Sequence, residues 1–215
     1  MKRFVLCLTL LLPLLSVAQN TTQSITINKL AIDSKKSFNF IQGDSTTSVV
    51  IDTLIMKDKS KLFFPNKKNV NLLVRHALIG KDCLIAGNDS KNNGTDLTLA
   101  VNFDQLGSLF IIVPGEDAKS SNRNFDNGNG GKVELSYLST GKTPQTTDKN
   151  KPGYVTIENR AGGYSVNPQT DIATIMDQVR RGAPGRPLGQ LPNGRVYSGS
   201  VGKDGETTIK AVDSL

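Results

Sequence analysis

Two Asn/Gly-rich stretches carry the oxygen-bearing side chains that a hard cation binds. The first holds Asp89, Asn93 and Asp96, and the second holds Asn122, Asn124 and Asp126. Calcium prefers carboxylate and amide oxygens of this kind. Neither stretch matches the twelve-residue EF-hand loop, because Lys91 stands at its third position in the first stretch and Asn127 replaces its glycine in the second. The stretches therefore predict candidate calcium sites, with ordinary Asn/Gly turns as the alternative and no other cofactor expected.

Basic side chains suggest a second kind of chemistry. Lys57, Lys59 and Lys61 alternate along the sequence, Arg75 follows them, and Lys67-Lys68 forms another basic pair. Alternate residues of a strand share one face, so the three lysines are expected to lie together on a strand. We interpret Lys57, Lys59, Lys61 and Arg75 as candidate ligand-binding residues for an acidic polysaccharide or a cell-surface protein. The alternative is that the lysines protect a strand edge from association.

Catalytic constellations are not evident, so no catalytic residue is predicted. The chain has one histidine, His76, which excludes a multi-histidine metal centre within it. A catalytic triad would need a nucleophile and a carboxylate beside His76, and no serine elbow motif is present. The acidic residues mostly stand in turns, where Asp bonds local backbone. Thr140-Gly141-Lys142-Thr143 lacks the earlier glycine of a phosphate loop, since Ser136 takes that position.

The N-terminus has the layout of a secretory signal peptide. Met1-Lys2-Arg3 is basic, residues 4–15 are apolar apart from Thr9 and Pro13, and Ala18 ends a small-residue cleavage site. Cleavage there removes two cations, lowers the net charge from +7 to +5 and leaves Cys83 as the one thiol. The mature chain is predicted to be periplasmic, surface-located or extracellular, without a membrane span or a nucleic-acid partner. Cys83 has apolar neighbours, so we expect it to be buried, the alternative being a disulfide between chains.

Short runs rich in Val, Ile, Leu and Thr recur along the chain and predict strands. One segment, Asp171 to Arg181, has apolar residues at helical spacing, with Thr170 or Asp171 as the expected cap and Gly182 as the stop. A last strand over Thr207 to Val212 is expected to return to the sheet. The other predicted strands contain residues 25–27, 49–56, 62–64, 70–74, 97–101, 109–113, 133–135 and 154–157.

The predicted strands repeat. Val70 aligns with Leu97 at an offset of 27 residues, which also places His76 on Phe103 and predicts a structural His76 that is inward-facing or at the wall of the coil. An earlier unit over Val49 to Met56 fits with an offset that drifts from 21 to 23. Repeats of this length indicate stacked coils. The fold class predicted is mainly β, a short right-handed parallel β-helix or solenoid with one short helix near the C-terminus; a β-sandwich is the alternative.

The chain divides into a signal peptide (1–18), a solenoid-like domain (19–160) and a C-terminal region (161–215). That last region contains the short helix and a wrap rich in Gly, Pro and Arg. The residues from Glu116 to Lys132 interrupt the strands and are predicted to form a polar loop.

The runs from Asn66 to Ala77 and from Leu84 to Gly87, followed by the Gly/Asn-rich stretch Asn127 to Val133, resemble coils of secreted Gly/Asn-rich β-solenoid repeat proteins of Bacteroidota-like bacteria. The resemblance extends over residues 45–160 and implies a fold and an extracellular location. Together with the absence of a catalytic set, it favours a secreted, non-enzymatic surface or matrix protein that binds polysaccharide or a protein partner. The alternative is a carbohydrate-active lyase or hydrolase on a β-helix.

Overall fold

The computed structural model describes residues 24–118, 125–182 and 196–215, so the predicted signal peptide lies outside the described residues. This part of the chain forms eleven strands and one helix. In chain order they are β1 (Ser24–Ile32), β2 (Ser37–Asn39), β3 (Thr46–Met56), β4 (Lys61–Pro65), β5 (Asn69–Ile79), β6 (Cys83–Asn88), β7 (Asp96–Leu106), β8 (Ser108–Ile112), β9 (Val133–Leu138), β10 (Tyr154–Glu158), α1 (Pro168–Gly182) and β11 (Thr207–Val212).

The strands wind into a parallel β-solenoid, which confirms the predicted fold class. The odd-numbered strands β1 to β11 form one sheet, here the odd sheet, and the even-numbered strands β2 to β10 form the even sheet. One odd strand and the even strand after it make one coil. Every strand pair is parallel and joins adjacent coils, so the antiparallel β-sandwich alternative is wrong.

The core lies between the two sheets and is built from ladders of apolar side chains. Alternate residues of each strand point inward, and the parallel register places them directly above one another. In the odd sheet, Val49 pairs with Leu72, Leu72 with Leu99, and Leu99 with Leu135. In the even sheet, Leu62 pairs with Ile85 and Ile85 with Ile111. All of these side chains are almost fully buried, so each coil seals the next.

The observed strand register corrects the predicted repeat. Val49 pairs with Leu72 rather than Val70, so the earlier unit keeps a constant register with β5. Between β5 and β7 the register shifts after Val74, and Phe103 pairs with Ala77. His76 therefore faces solvent beside Arg75, so of its two predicted placements the inward-facing one is wrong. An added residue in a strand turns the following side chain to the opposite face, which a constant offset cannot reveal.

Backbone segments outside the two sheets also pack against one another, mainly in the C-terminal half of the described chain. Extended segments near residues 92–95, 113–118, 126–132, 158–163 and 201–206, here called the glycine bundle, bond to one another outside the two sheets. The Gly128 N–H donates to Glu116 O at 2.9 Å, while Gly128 O accepts from the Gly162 N–H at 2.9 Å. A Cβ on Gly128 would lie 1.7 Å from Asn92 O. The described part of the predicted polar loop is therefore tightly packed backbone.

Helix α1 begins earlier than predicted. Asn167 Oδ1 accepts the Gln169 N–H at 3.0 Å, which makes Asn167 the cap and places Pro168 at the first helical position. The expected caps Thr170 and Asp171 lie inside the helix instead. On its outer surface Ile172 and Met176 stay exposed. Within the described ranges, no helix has the length and apolar character that crossing a bilayer requires.

Burial of Cys83 is confirmed and leads to a test of thiol reactivity. The side chain has 0% exposure, and burial raises the pKa of its thiol because the thiolate is penalised away from water. We expect iodoacetamide at neutral pH to leave the native protein unmodified and to alkylate it fully in denaturant, as measured by mass spectrometry. Rapid alkylation of the native protein, or a disulfide-linked dimer on a non-reducing gel, would contradict this expectation.

Candidate functional site

The turns that lead from the odd sheet to the even sheet stack on one another at one corner of the solenoid. Lys35, Lys59 and Asp82 take equivalent positions in consecutive turns and have φ values of 61°, 61° and 56°. The Lys35 N–H donates to Asp58 O at 3.0 Å, and the Lys59 N–H donates to Lys81 O at 2.7 Å. The turns thus continue the hydrogen-bonding pattern of the sheets, and they carry exposed side chains in rows along the solenoid.

A groove follows this corner. It consists of two adjoining cavities of about 410 and 420 Å³ that share Asp58, Gly80 and Gln105. We call the two together the corner groove. Its lining residues are Ser34, Ile55, Met56, Lys57, Asp58, Leu78, Gly80, Lys81, Gln105, Leu106, Gly107, Lys142, Thr143, Pro152 and Gly153.

The floor of the corner groove combines apolar side chains with bare backbone. Ile55 and Leu78 are paired neighbours on β3 and β5, and both are half-buried. Gly107 packs its backbone directly against the preceding turn, since a Cβ there would lie 2.4 Å from Gly80 O. Pockets that combine apolar surface with a few placed polar groups are typical of ligand sites.

The walls of the corner groove are predominantly basic. Lys57, Lys81 and Lys142 line it together with a single acid, Asp58. Asp58 Oδ1 accepts the backbone N–H of Lys81 at 2.8 Å, which holds that carboxylate against its own turn. Within the described residues, the ammonium groups of Lys81 and Lys142 form no ion pair. The positive charge of the groove is therefore directed at solvent.

Lys57 is the one lysine of the groove that has an acidic partner. Its Nζ lies 2.7 Å from Asp33 Oδ1, and both side chains are exposed. The Lys57 hydrogen bond and charge lower the pKa of Asp33. A solvent-exposed pair of this kind contributes little to stability, so an incoming anion can compete for Lys57 at small cost.

The structure brings the predicted basic residues to neighbouring positions but corrects their arrangement. Lys57 follows β3, Lys59 lies in the turn, and Lys61 begins β4, so the three do not share one strand face as predicted. Arg75 lies on β5 and faces solvent at the bulge. Arg75 has an acidic partner, since its Nη1 lies 3.7 Å from Asp52 Oδ1 on the neighbouring strand. This pair was not predicted from the sequence.

The candidate calcium ligands Asp89 and Asp96 of the first stretch form hydrogen bonds to other groups of the protein. Asp89 Oδ1 accepts the N–H groups of Lys91 and Asn93 at 2.6 and 2.8 Å, and its Oδ2 accepts Asn93 Nδ2–H at 2.8 Å. Asp96 Oδ1 accepts the Lys132 N–H at 2.7 Å. These bonds are those of Asx turns and strand connections, which is the alternative interpretation.

In the second stretch, the backbone carbonyl of Asp126 accepts Asn92 Nδ2–H at 3.1 Å. Asn122 and Asn124 lie outside the described residues. Among the residues that the structure describes, no group of three or more His, Cys, Asp or Glu side chains is placed to hold a metal ion. Calcium binding stays a prediction.

Sequence reasoning missed Lys81 and Lys142 as members of one site. Lys81 takes the turn position that Asp58 takes one coil earlier, and Lys142 lies in the longer connection between β9 and β10. The correct register of β4 and β6 would have identified Lys81. For Lys142 the sequence carries no such signal, because its connection has no counterpart in the earlier coils.

No family model matches this sequence, and searches of curated proteins and of solved structures returned no similar protein. The interpretation of the corner groove therefore depends on its own geometry and charge.

Proposed function

We propose that this protein is a secreted, non-enzymatic surface or matrix component that binds an acidic polysaccharide in the corner groove. The observation that carries the proposal is the row of Lys57, Lys81 and Lys142 along a continuous groove that contains one acid. Long-range attraction between such a row and a polyanion raises the association rate and is weakened by salt.

A sugar acid fits both parts of the groove. The C–H face of a pyranose ring packs against the apolar Ile55 and Leu78, while its carboxylate bonds to a lysine ammonium. Ser34, Gln105 and Thr143 supply hydroxyl and amide groups for the sugar hydroxyls. A nucleic acid offers the same charge, but the predicted signal peptide directs the chain away from it.

Binding to polygalacturonate tests the proposal. We expect the double variant Lys81→Gln/Lys142→Gln to weaken binding about tenfold or more, since each lost charge-assisted contact removes about 1 kcal/mol or more. The matched control is Lys68→Gln/Lys203→Gln, which removes the same charge from two exposed lysines outside the groove. Equal loss of binding in both double variants, measured by calorimetry at one salt concentration, would show nonspecific attraction and refute the site.

The exposed pair of Lys57 and Asp33 offers a gain-of-binding test. Asp33→Asn removes a negative charge beside the groove and releases Lys57 from its partner. We expect this variant to bind polygalacturonate several-fold more tightly, with a stability close to that of the parent protein. Weaker binding by Asp33→Asn would place the polysaccharide elsewhere.

The same samples distinguish non-enzymatic binding from the enzymatic alternative. A lyase releases unsaturated sugars and a hydrolase releases reducing ends, and a glycosidase uses two carboxyl groups about 5–10 Å apart. Release of either product from polygalacturonate during the binding experiment would replace the non-enzymatic proposal with the carbohydrate-active one.

A further inference from the structure

The corner groove runs along the solenoid axis rather than along a strand. Its lining residues come from consecutive coils: Ser34 follows β1, Lys57 follows β3, Lys81 follows β5, Gly107 follows β7 and Lys142 follows β9. Neighbouring strands of a sheet lie about 4.8 Å apart, so these five turns span about 20 Å. The long dimension of the groove is set by the stacking of turns.

We infer that the groove binds a linear polyuronate lengthwise, with sugar carboxylates facing the lysines of the second, third and fifth coils. The inference rests on the proposed function and adds the orientation and the repeat of its ligand. A chain that lay across the axis would follow a single coil and reach one of the three groove lysines. A chain along the axis reaches Lys57, Lys81 and Lys142 in turn, so one ligand contacts all three charges.

The two sides of the groove differ in charge, which orients the sugar. On the strand side, the bulge residues Arg75 and His76 precede Leu78 on β5. Arg75 lies 3.7 Å from Asp52, and His76 Nδ1 lies 2.9 Å from Asp104 Oδ2, so each basic group has a carboxylate beside it. On the turn side, the ammonium groups of Lys81 and Lys142 form no ion pair within the described residues, and the nearby Asp58 carboxylate bonds to the Lys81 backbone instead. The sugar carboxylates therefore point toward the turns.

A length series of oligogalacturonates, from the dimer to the octamer, tests the orientation. We expect the affinity measured by calorimetry to rise with each added sugar and to level off near about four units, the number of strand spacings in the groove. Fully methyl-esterified oligomers of the same lengths serve as neutral controls and are expected to bind at least about tenfold more weakly.

Two variants locate the ligand along the axis. Lys81→Gln removes the central lysine and should lower the affinity for the tetramer and for longer oligomers by a similar factor. Lys142→Gln removes the lysine of the last coil, so short oligomers should keep their affinity while the plateau moves to a shorter length. Thermal unfolding of both variants verifies that the solenoid is intact.

The outcomes separate the inference from the proposed function. If polygalacturonate binds but the dimer and the octamer have equal affinity, the lengthwise orientation is wrong and the corner groove remains a polysaccharide site. If Lys142→Gln lowers the affinity for the dimer and the affinity for the octamer by the same factor, the axial order of the lysines is refuted. If neither the polymer nor any oligomer binds, both proposals fail.

Discussion

Replacing Gly128 with alanine is expected to break the glycine bundle and to lower the free energy of unfolding by about 3 kcal/mol or more. The added Cβ would lie 1.7 Å from Asn92 O and 2.9 Å from Asn93 N, and both are backbone atoms that cannot rotate away. Overpacking a core costs about 1–3 kcal/mol of stability where side chains can adjust. Backbone atoms adjust less readily, so we expect the cost of this clash to be at or above the upper end of that range. Because Gly128 bonds to both Glu116 and Gly162, three segments must separate to admit the methyl group.

Gly199→Ala is the matched control. A Cβ at Gly199 would meet its nearest neighbour, Val196 O, at 3.5 Å, which is an ordinary contact. We expect this variant to unfold within about 0.5 kcal/mol of the parent protein in urea. A similar loss of stability in both variants would mean that the close packing of the bundle does not determine its stability.

Lys67→Met is expected to cost about 3 kcal/mol. The Lys67 side chain is 3% exposed, and its Nζ donates to the carbonyls of Gln42, Gly43 and Asp44 at 2.8, 2.6 and 2.9 Å. Methionine fills a similar volume but leaves three carbonyl oxygens without that donor. A hydrogen bond to a charged group contributes about 1.5–3 kcal/mol, and water that reaches the exposed residues 42–44 replaces part of the loss.

The exposed neighbour Lys68 provides the comparison for this buried ammonium. Lys68→Met makes the same substitution at a solvent-exposed position and should leave the midpoint of urea unfolding nearly unchanged. In Lys67→Met, hydrogen exchange should also accelerate in the segment before β3, because the lysine fastens residues 42–44 to the next coil. Unchanged exchange there, or equal destabilisation by both variants, would refute the role of Lys67.

The sequence was sufficient to predict the coils but not their contacts at the corners. Alternating apolar residues identify β5 and β7 and the pairing of Val70 with Leu97, because inward-facing positions must match in a parallel ladder. The bulge after Val74 escapes this reasoning, since it changes the facing of Arg75 and His76 without changing the composition of the strand. For the same reason a constant offset does not distinguish the inward face from the outward face at His76.

The role of individual charges could be predicted only in part. The alternating lysines of the sequence predict Lys57 and Lys59 as candidates for ligand binding, and both lie at the corner of the solenoid. Lys67 looks like an ordinary surface lysine in the sequence, yet three carbonyl groups enclose its ammonium. Gly128 reads as a turn residue, because backbone-to-backbone packing of distant segments leaves no local periodicity in the sequence.

The stacked turns have a consequence for how binding specificity can diverge. A corner residue such as Lys59 makes its backbone bond with the adjacent turn, and the packing of each strand is with its immediate neighbours. In a repeat architecture of this kind, a substitution is felt mainly by the coils on either side of it. A change at one corner therefore alters one stretch of the corner groove while the other coils keep their chemistry, so the chemistry of the groove can change one coil at a time.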